Sequence, residues 1–357
     1  MKSNTPATPG LRVPAAELQA FVATLFARAG LRQADATVVA QALVWANLRG
    51  VDTHGVSRVA HYLEFIANGV INPAPTLSVT VETLAVTVLD ADRAAGPVAM
   101  QQATELAMAK ARSAGLGLVM VRNTTHTGAL GCYTQSLAQR GMLGLSICAS
   151  NPMMAFHGAR AAGVSTAPLS MAVPGAGAET VLLDMASSIV SFGQIMQTKR
   201  QNLPLAPGLA LDAAGEPTTD SQVAKIPMPL GGPKGSGLSL MIEMFTSLTV
   251  GNPLIAEFFS GNPEGKKHRQ NAWVLALDVF KFCPEPVFRA DVARTVAALK
   301  ALPASVEGAD ILMPGERGYR EAALRGSGGI PLSGKLAGEL AGLATRFELN
   351  PPWGGTE

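Results

Sequence analysis

The sequence predicts an α/β chain in which helical regions from both ends bracket a sheet-containing middle. Three patterns carry this reading: helical spacing of apolar residues up to about Gly69, short β-branched runs from about Ser78, and helical spacing again after about Pro286. Leu18, Phe21, Val22 and Leu25 form the first apolar stripe after Pro14, a residue tolerated in a helix's first turn, and the run stops near Gly30. A second helix is predicted over residues 33–49, with Val38, Val39, Ala42, Leu43 and Ala46 on one side and Gly50 where a left-handed cap falls. A third covers 56–68. The polar segment Asp52-Thr53-His54-Gly55 between them is too short to wander, so whatever it presents is held rigidly.

Strands begin with Ser78-Val79-Thr80-Val81 and Val86-Thr87-Val88-Leu89. A helix over 97–113, a strand over 118–122, a helix over 130–140 and a strand over 143–149 continue an α/β alternation, with later strands at 181–183 and 273–279. Helices close the chain at 290–302, 316–324 and 333–346. The domain organisation that follows is an N-terminal helical region, 1–77, joined by the C-terminal helices, 286–357, and a sheet-containing middle, 78–285.

Composition narrows the function classes. The 357 residues are 48% hydrophobic and 15% charged, with 28 Lys+Arg against 26 Asp+Glu, which is not the composition of a disordered chain. Basic residues are scattered singly and offer no stripe for a phosphate backbone, so a small molecule is a better partner than nucleic acid. Cys132, Cys148 and Cys283 are far apart and lack CxxC pairing, which fits a reducing cytoplasm and argues against a disulfide framework or a structural zinc site. The opening MKSNTPATPG has no apolar core of a signal peptide and reads as a frayed tail. The apolar stretch 237–250 contains Glu243 and falls short of the ~20 residues of a membrane span. A soluble protein is expected.

The familiar nucleotide fingerprints fail. Gly175-Ala176-Gly177-Ala178 lacks a third glycine, and Gly115-Leu116-Gly117 precedes a strand where a Rossmann loop would follow one. Gly231-Gly232-Pro233-Lys234-Gly235-Ser236-Gly237 is not a Walker loop, yet a glycine-rich loop with one lysine at a helix start is either an anion cradle or a plain turn. His54 and His126 sit in polar loops beside hydroxyls and glycine, where an imidazole can exchange a proton near neutral pH or serve only as a hydrogen-bonding surface residue. Arg58 follows His54 by four residues. A guanidinium there can grip a carboxylate bidentately while a histidine protonates the neighbouring carbonyl oxygen, or it can be an ordinary surface arginine. No HExxH or clustered carboxylate–histidine set is present, so no metal is expected.

Leu43-Val44-Trp45-Ala46-Asn47-Leu48-Arg49-Gly50-Val51-Asp52-Thr53-His54-Gly55-Val56-Ser57-Arg58 closely resembles the signature of the malate/L-lactate dehydrogenase family, which is distinct from the Rossmann enzymes of the same names. That family also includes ureidoglycolate, sulfolactate and diketogulonate oxidoreductases and cyclic-imine reductases. The resemblance continues in order through 123–128, Ala149-Ser150-Asn151, Asp184-Met185-Ala186-Ser187-Ser188, 231–237 and Met313-Pro314-Gly315-Glu316, and covers about 15–331.

The resemblance implies His54 and His126 as the two active-site histidines, and Thr53 and Arg58 as substrate-side residues. It implies Ser150, Asp184, Met185, Ala186 and Lys234 as contacts of an NAD or NADP cofactor. It also implies a non-Rossmann, mixed and largely antiparallel sheet with packed helical ends, in a homodimer. Two departures stand out. Ser165-Thr166-Ala167-Pro168 replaces the family's Gly-Thr-Asn-Pro, and Phe156-His157-Gly158-Ala159-Arg160 with Lys234-Gly235-Ser236 is closer to the piperideine-2-carboxylate and pyrroline-2-carboxylate reductase branch. The expected activity is hydride transfer between nicotinamide and C2 of a small 2-oxo or 2-hydroxy acid. The alternatives are reduction of a cyclic imino acid and, more remotely, a non-catalytic nucleotide-binding protein.

Overall fold

The computed structural model describes residues 11–177, 179–306 and 308–354, so the tail MKSNTPATPG lies outside the described residues. The chain forms two compact units, one drawn from both of its ends, up to Ala74 and from Arg317 onward, and one spanning Pro75–Glu316.

In the first unit, helices α1 (Ala15–Arg28), α2 (Gln33–Leu48) and α3 (Val59–Ala67) join the C-terminal helices Glu316–Gly328 and Gly334–Arg346. Leu18, Phe21, Val22 and Leu25 are buried on α1 as their spacing predicts, and α1 packs on α2, whose Val39 and Leu43 are also buried. A two-stranded antiparallel ribbon, Leu11–Val13 with Ile330–Leu332, ties the chain ends together. The structure differs from the expected helix over 56–68: α3 starts at Val59, and two 3-10 turns, Asp52–His54 and Val56–Arg58, precede it. The extended backbone of Gly55 between them interrupts the helical path.

The second unit is built on a seven-stranded sheet of β1 (Ser78–Glu82), β2 (Val86–Asp90), β3 (Leu116–Thr124), β4 (Leu143–Ser150), β5 (Leu169–Val173), β6 (Val181–Met185) and β7 (Gln270–Leu277). Their spatial order is β1-β2-β3-β7-β4-β5-β6. Every neighbouring pair is antiparallel except β2 with β3. The sheet is therefore mixed and largely antiparallel, with β2-α4-β3 as its one parallel crossover where a Rossmann fold winds several, in keeping with the missing glycine fingerprint. Helices α4 (Gly96–Ala114) and α5 (Gly131–Gln139) cover one face through Ala99, Ala103, Ala107, Tyr133 and Leu137 against Val119, Val121, Val274 and Cys148. Adjacent residues of β4 point the other way, as strand alternation requires. Ile147 and Ala149 pack with Ile242 of α7 (Pro233–Glu243), after α6 (Phe192–Arg200) in the chain.

The return to the first unit comes later than the expected 286. The helix Glu285–Lys300 belongs with the sheet because Phe288 packs edge-on against Phe280 at 6.1 Å, and Arg289 donates to the Gly175 carbonyl at 2.6 Å. Among the described residues no helix is long and apolar enough to cross a membrane.

Candidate functional site

Thr53, His54 and Arg58 are brought together by the paired 3-10 turns. Arg58 Nε donates to the Thr53 carbonyl at 2.6 Å, and Thr53 Oγ1 lies 3.0 Å from His54 Nδ1. Burial disfavours the His54 imidazolium and the Arg58 charge repels it, so its pKa falls from 6.5 to about 4 and the ring is neutral at physiological pH. His61, one helical turn on, is also shifted down, by burial and by Arg58, with Glu64 opposing.

The turn is held by residues that sequence reasoning missed. Arg325 donates to both carboxylate oxygens of Asp52, at 2.7 and 3.2 Å, and to the Asn47 carbonyl at 2.7 Å. Asn47, 1% exposed, donates to Asp52 at 2.6 Å and accepts from the Val56 amide at 2.8 Å. Gly55 crosses so close to that amide that a Cβ would stand 2.2 Å from Asn47 Oδ1. Asn47 lies in the signature and was readable as polar. Arg325 left no local signal, since it acts from 273 residues away.

His126 lies in the second unit, on the loop between β3 and α5. Gly128 N donates to His126 Nδ1 at 3.3 Å. Asn123, with a left-handed φ of 58°, opens the loop and donates its amide to Asn271 Oδ1 at 3.1 Å. Gln270 Oε1 accepts from Thr127 N at 3.0 Å, from Thr127 Oγ1 at 3.2 Å and from the Cys148 thiol at 3.2 Å. Burial pushes that thiol up to about 12, despite the Thr127 bond, so Cys148 stays protonated. On the other side, Thr125 Oγ1 bridges the Ala94 carbonyl and the Gly96 amide, and a Cβ on Gly96 would stand 2.1 Å from the His126 carbonyl oxygen.

The remaining predicted residues cluster around the same sheet end. Gln270 pairs across the sheet with Thr124 on one side and Ser150 on the other. Asp184 Oδ2 accepts from Gly131 N at 2.8 Å, an anion on the first turn of α5, where the helix dipole favours it. Met185 and Ala186 follow, and the Ser187 carbonyl accepts from Leu230 N at 2.9 Å, joining this segment to the Lys234 loop. The loop differs from a backbone cradle: Gly232, Lys234, Gly235 and Ser236 donate their N–H groups to its own carbonyls or to the first helical bond. What it presents is the exposed Lys234 side chain near the N-terminus of α7. Lys199, next to last in α6, donates to the Gln222 carbonyl at 2.8 Å.

Both departures have a place in the fold. Ala167 is fully buried in the apolar cluster of Ile147, Ala149, Ile242 and Leu254, so its methyl group packs where an amide would need partners. Ser236 Oγ accepts from His157 N at 2.8 Å, which fastens the 156–160 segment to the Lys234 loop.

The family model described as malate/L-lactate dehydrogenase matches residues 13–341. A malate dehydrogenase of Pyrococcus abyssi is 31% identical over 94% of this chain and 95% of its own length. The delta(1)-pyrroline-2-carboxylate/delta(1)-piperideine-2-carboxylate reductase of Pseudomonas putida is 31% identical over 93% of this chain and 96% of its own. The solved malate dehydrogenase of Pyrococcus horikoshii superposes with a TM-score of 0.86 at 29% identity, covering 96% of this chain and 97% of that one.

Proposed function

Because this chain belongs to the malate/L-lactate dehydrogenase family and is an oxidoreductase of small hydroxy and oxo acids, we propose that it serves 2-oxo or 2-hydroxy acids of malate or lactate size, with NAD or NADP as cofactor. When bound, the nicotinamide supplies or accepts the hydride at the substrate's C2. The residues of the second unit fit a polar cofactor with phosphates. Of the buried polar atoms that lack a hydrogen-bond partner among the described residues, two, Asn151 Oδ1 and Ser187 Oγ, border segments assigned to the cofactor. Ser150, Asp184, Met185 and Ala186 would flank it, and the exposed Lys234 ammonium would meet a phosphate.

The roles then divide by chemistry. Arg58, anchored through Nε, supplies the cation for a substrate carboxylate, with Thr53 beside it. His54, neutral with a pKa of about 4, is a poor store of protons and serves as a fixed dipole toward substrate. His126, charged as the imidazolium, gives a proton to the C2 oxygen during reduction and, as the neutral ring left behind, takes one back during oxidation. The observation that carries this reading is the Arg58–His54 turn, a fixed cation beside a neutral imidazole, which suits a carboxylate adjoining a carbonyl. A homodimer in the cytoplasm completes the reading, on the family resemblance and three cysteines outside any disulfide.

A cyclic imino acid is the second reading, favoured by the His157–Ser236 bond that joins the two reductase-like segments. The test compares NADPH and NADH oxidation by the purified protein with pyruvate and oxaloacetate against piperideine-2-carboxylate and pyrroline-2-carboxylate. Faster turnover of the oxo acids supports the first reading and faster turnover of the imines the second. No turnover of any of them with either cofactor overturns both.

A further inference from the structure

Gln270 and Asn271 open a strand that is otherwise apolar, Ala272-Trp273-Val274-Leu275-Ala276-Leu277, and neither side chain points to a solvent role, since they are 7% and 0% exposed. Their amides reach the loop that carries His126 from both ends. Asn271 takes the Asn123 amide before the histidine, and Gln270 takes the Thr127 amide and hydroxyl after it. Asn271 is itself fixed by four hydrogen bonds. Its Oδ1 also accepts from Asn252 Nδ2 at 2.9 Å, and its Nδ2 donates to Ser247 Oγ at 3.0 Å and to the Asn252 carbonyl at 2.8 Å. Ser247 in turn donates to the buried Glu243 carboxylate at 2.7 Å, which also caps the Leu254 and Ile255 amides.

We propose that Gln270 is a positioning residue for proton transfer, setting the direction of the His126 ring through the Thr127 backbone. The inference rests on the reading of His126 as the proton-transfer group. The physical reason is local. His126 and Thr127 are consecutive, so the plane fixed by Thr127 N bonding to Gln270 Oε1 fixes the backbone from which the imidazole projects. Gly128 N, one residue further, donates to His126 Nδ1 at 3.3 Å. Without the Gln270 oxygen, the Thr127 amide, at a residue 2% exposed, would turn in search of another acceptor and carry the ring with it. Misplacement of a catalytic group by about 1 Å can cost ~100-fold in rate.

The experiment is a double-mutant cycle on the full-length enzyme with whichever oxo acid or imine it turns over. Gln270→Met keeps the volume of the side chain and removes the acceptor. It is expected to lower kcat by ~10–100-fold with little change in KM or in cofactor binding read by NAD(P)H fluorescence. In the His126→Ala background the same substitution is expected to lower kcat by less than about twofold, because there is no longer a ring to direct. Independent losses in the two backgrounds, or a loss confined to KM, overturn the proposal while leaving His126 in its role. Full turnover by His126→Ala overturns the reading of His126, and the proposal with it. If Gln270→Met does not accumulate folded, Gln270→Asn, which withdraws the amide by one methylene, enters the same cycle with the same two outcomes.

Discussion

His54 rides on a turn clamped by an ion pair, and His126 on a loop clamped by neutral amides. The surroundings of the two clamps differ in the same sense: the Asp52 side chain that Arg325 holds is 41% exposed, whereas Gln270 and Asn271 are 7% and 0% exposed. Near water the Asp52 carboxylate keeps part of its hydration, and the Arg325 guanidinium, 12% exposed, is compensated by its bonds to Asp52, Glu321 and the Asn47 carbonyl, so charge is a tolerable fastening. At the buried end of a sheet an ion would lose its hydration, and neutral amides whose oxygens accept from the loop hold the backbone without that penalty. Each turn is also crossed by a glycine at a distance no side chain permits, Gly55 against the Asn47 amide and Gly96 against the His126 carbonyl.

The largest separation between the two turns is expected in turnover. His126→Ala should lower kcat by ~10²–10⁴-fold in steady-state assays, the usual range for losing a general acid, with His54→Ala losing clearly less. Equal losses would erase the distinction drawn from the low pKa of His54. Next come the glycines. Gly96→Ala and Gly55→Ala should each destabilise by about 2–4 kcal/mol in denaturant unfolding. Gly96→Ala should be the worse, because its Cβ meets backbone at 2.1 Å and that of Gly55 meets a side-chain oxygen at 2.2 Å.

The clamps themselves should answer differently to salt. Arg325→Met should cost about 1–2 kcal/mol at low ionic strength and less at high salt, while the cost of Gln270→Met should stay constant, since only the first clamp is screened. A matching salt dependence in both would mean that charge does not distinguish them. A last effect is on pH. With a folded pKa of about 4 and an unfolded value near 6.5, the unfolded chain binds a proton on His54 that the folded chain refuses. Stability should therefore be full above about pH 6.5 and decline as pH falls toward 4. His54→Gln should flatten that part of the profile of melting temperature against pH.

Much of the fold was legible because helices and strands announce themselves locally. The 14 residues of α1 and the 16 of α2 follow their apolar spacing, and the strand at 143–149 and the helix at 97–113 fall within a residue or so of β4 and α4. The misreading at 56–58 has a local cause too: helical spacing of Val56 and Val59 is the same whether the chain turns as a 3-10 or an α-helix. β5 was passed over because Leu169–Val173 is short and alternates weakly, and its strand character comes from pairing with β4 and β6. The histidine turns were found by their hydroxyls and glycines. The clamps were not, although a Gln-Asn pair at the head of an apolar strand was a signal that could have been read.

What the sequence by itself determined is the order of elements, the two histidine-bearing turns and the family signature, since periodicity, turn chemistry and motif order are all local properties. Only the tertiary structure decided that β7, last of the seven strands in the chain, lies between β3 and β4 and so brings Gln270 to a loop 143 residues earlier. It also decided that Arg325 reaches Asp52, and that the glycine-lysine loop spends its backbone donors on itself. The physical reason is that a hydrogen bond depends on where two groups meet in space, and a single sequence records spacing along the chain but not which distant segments fold side by side.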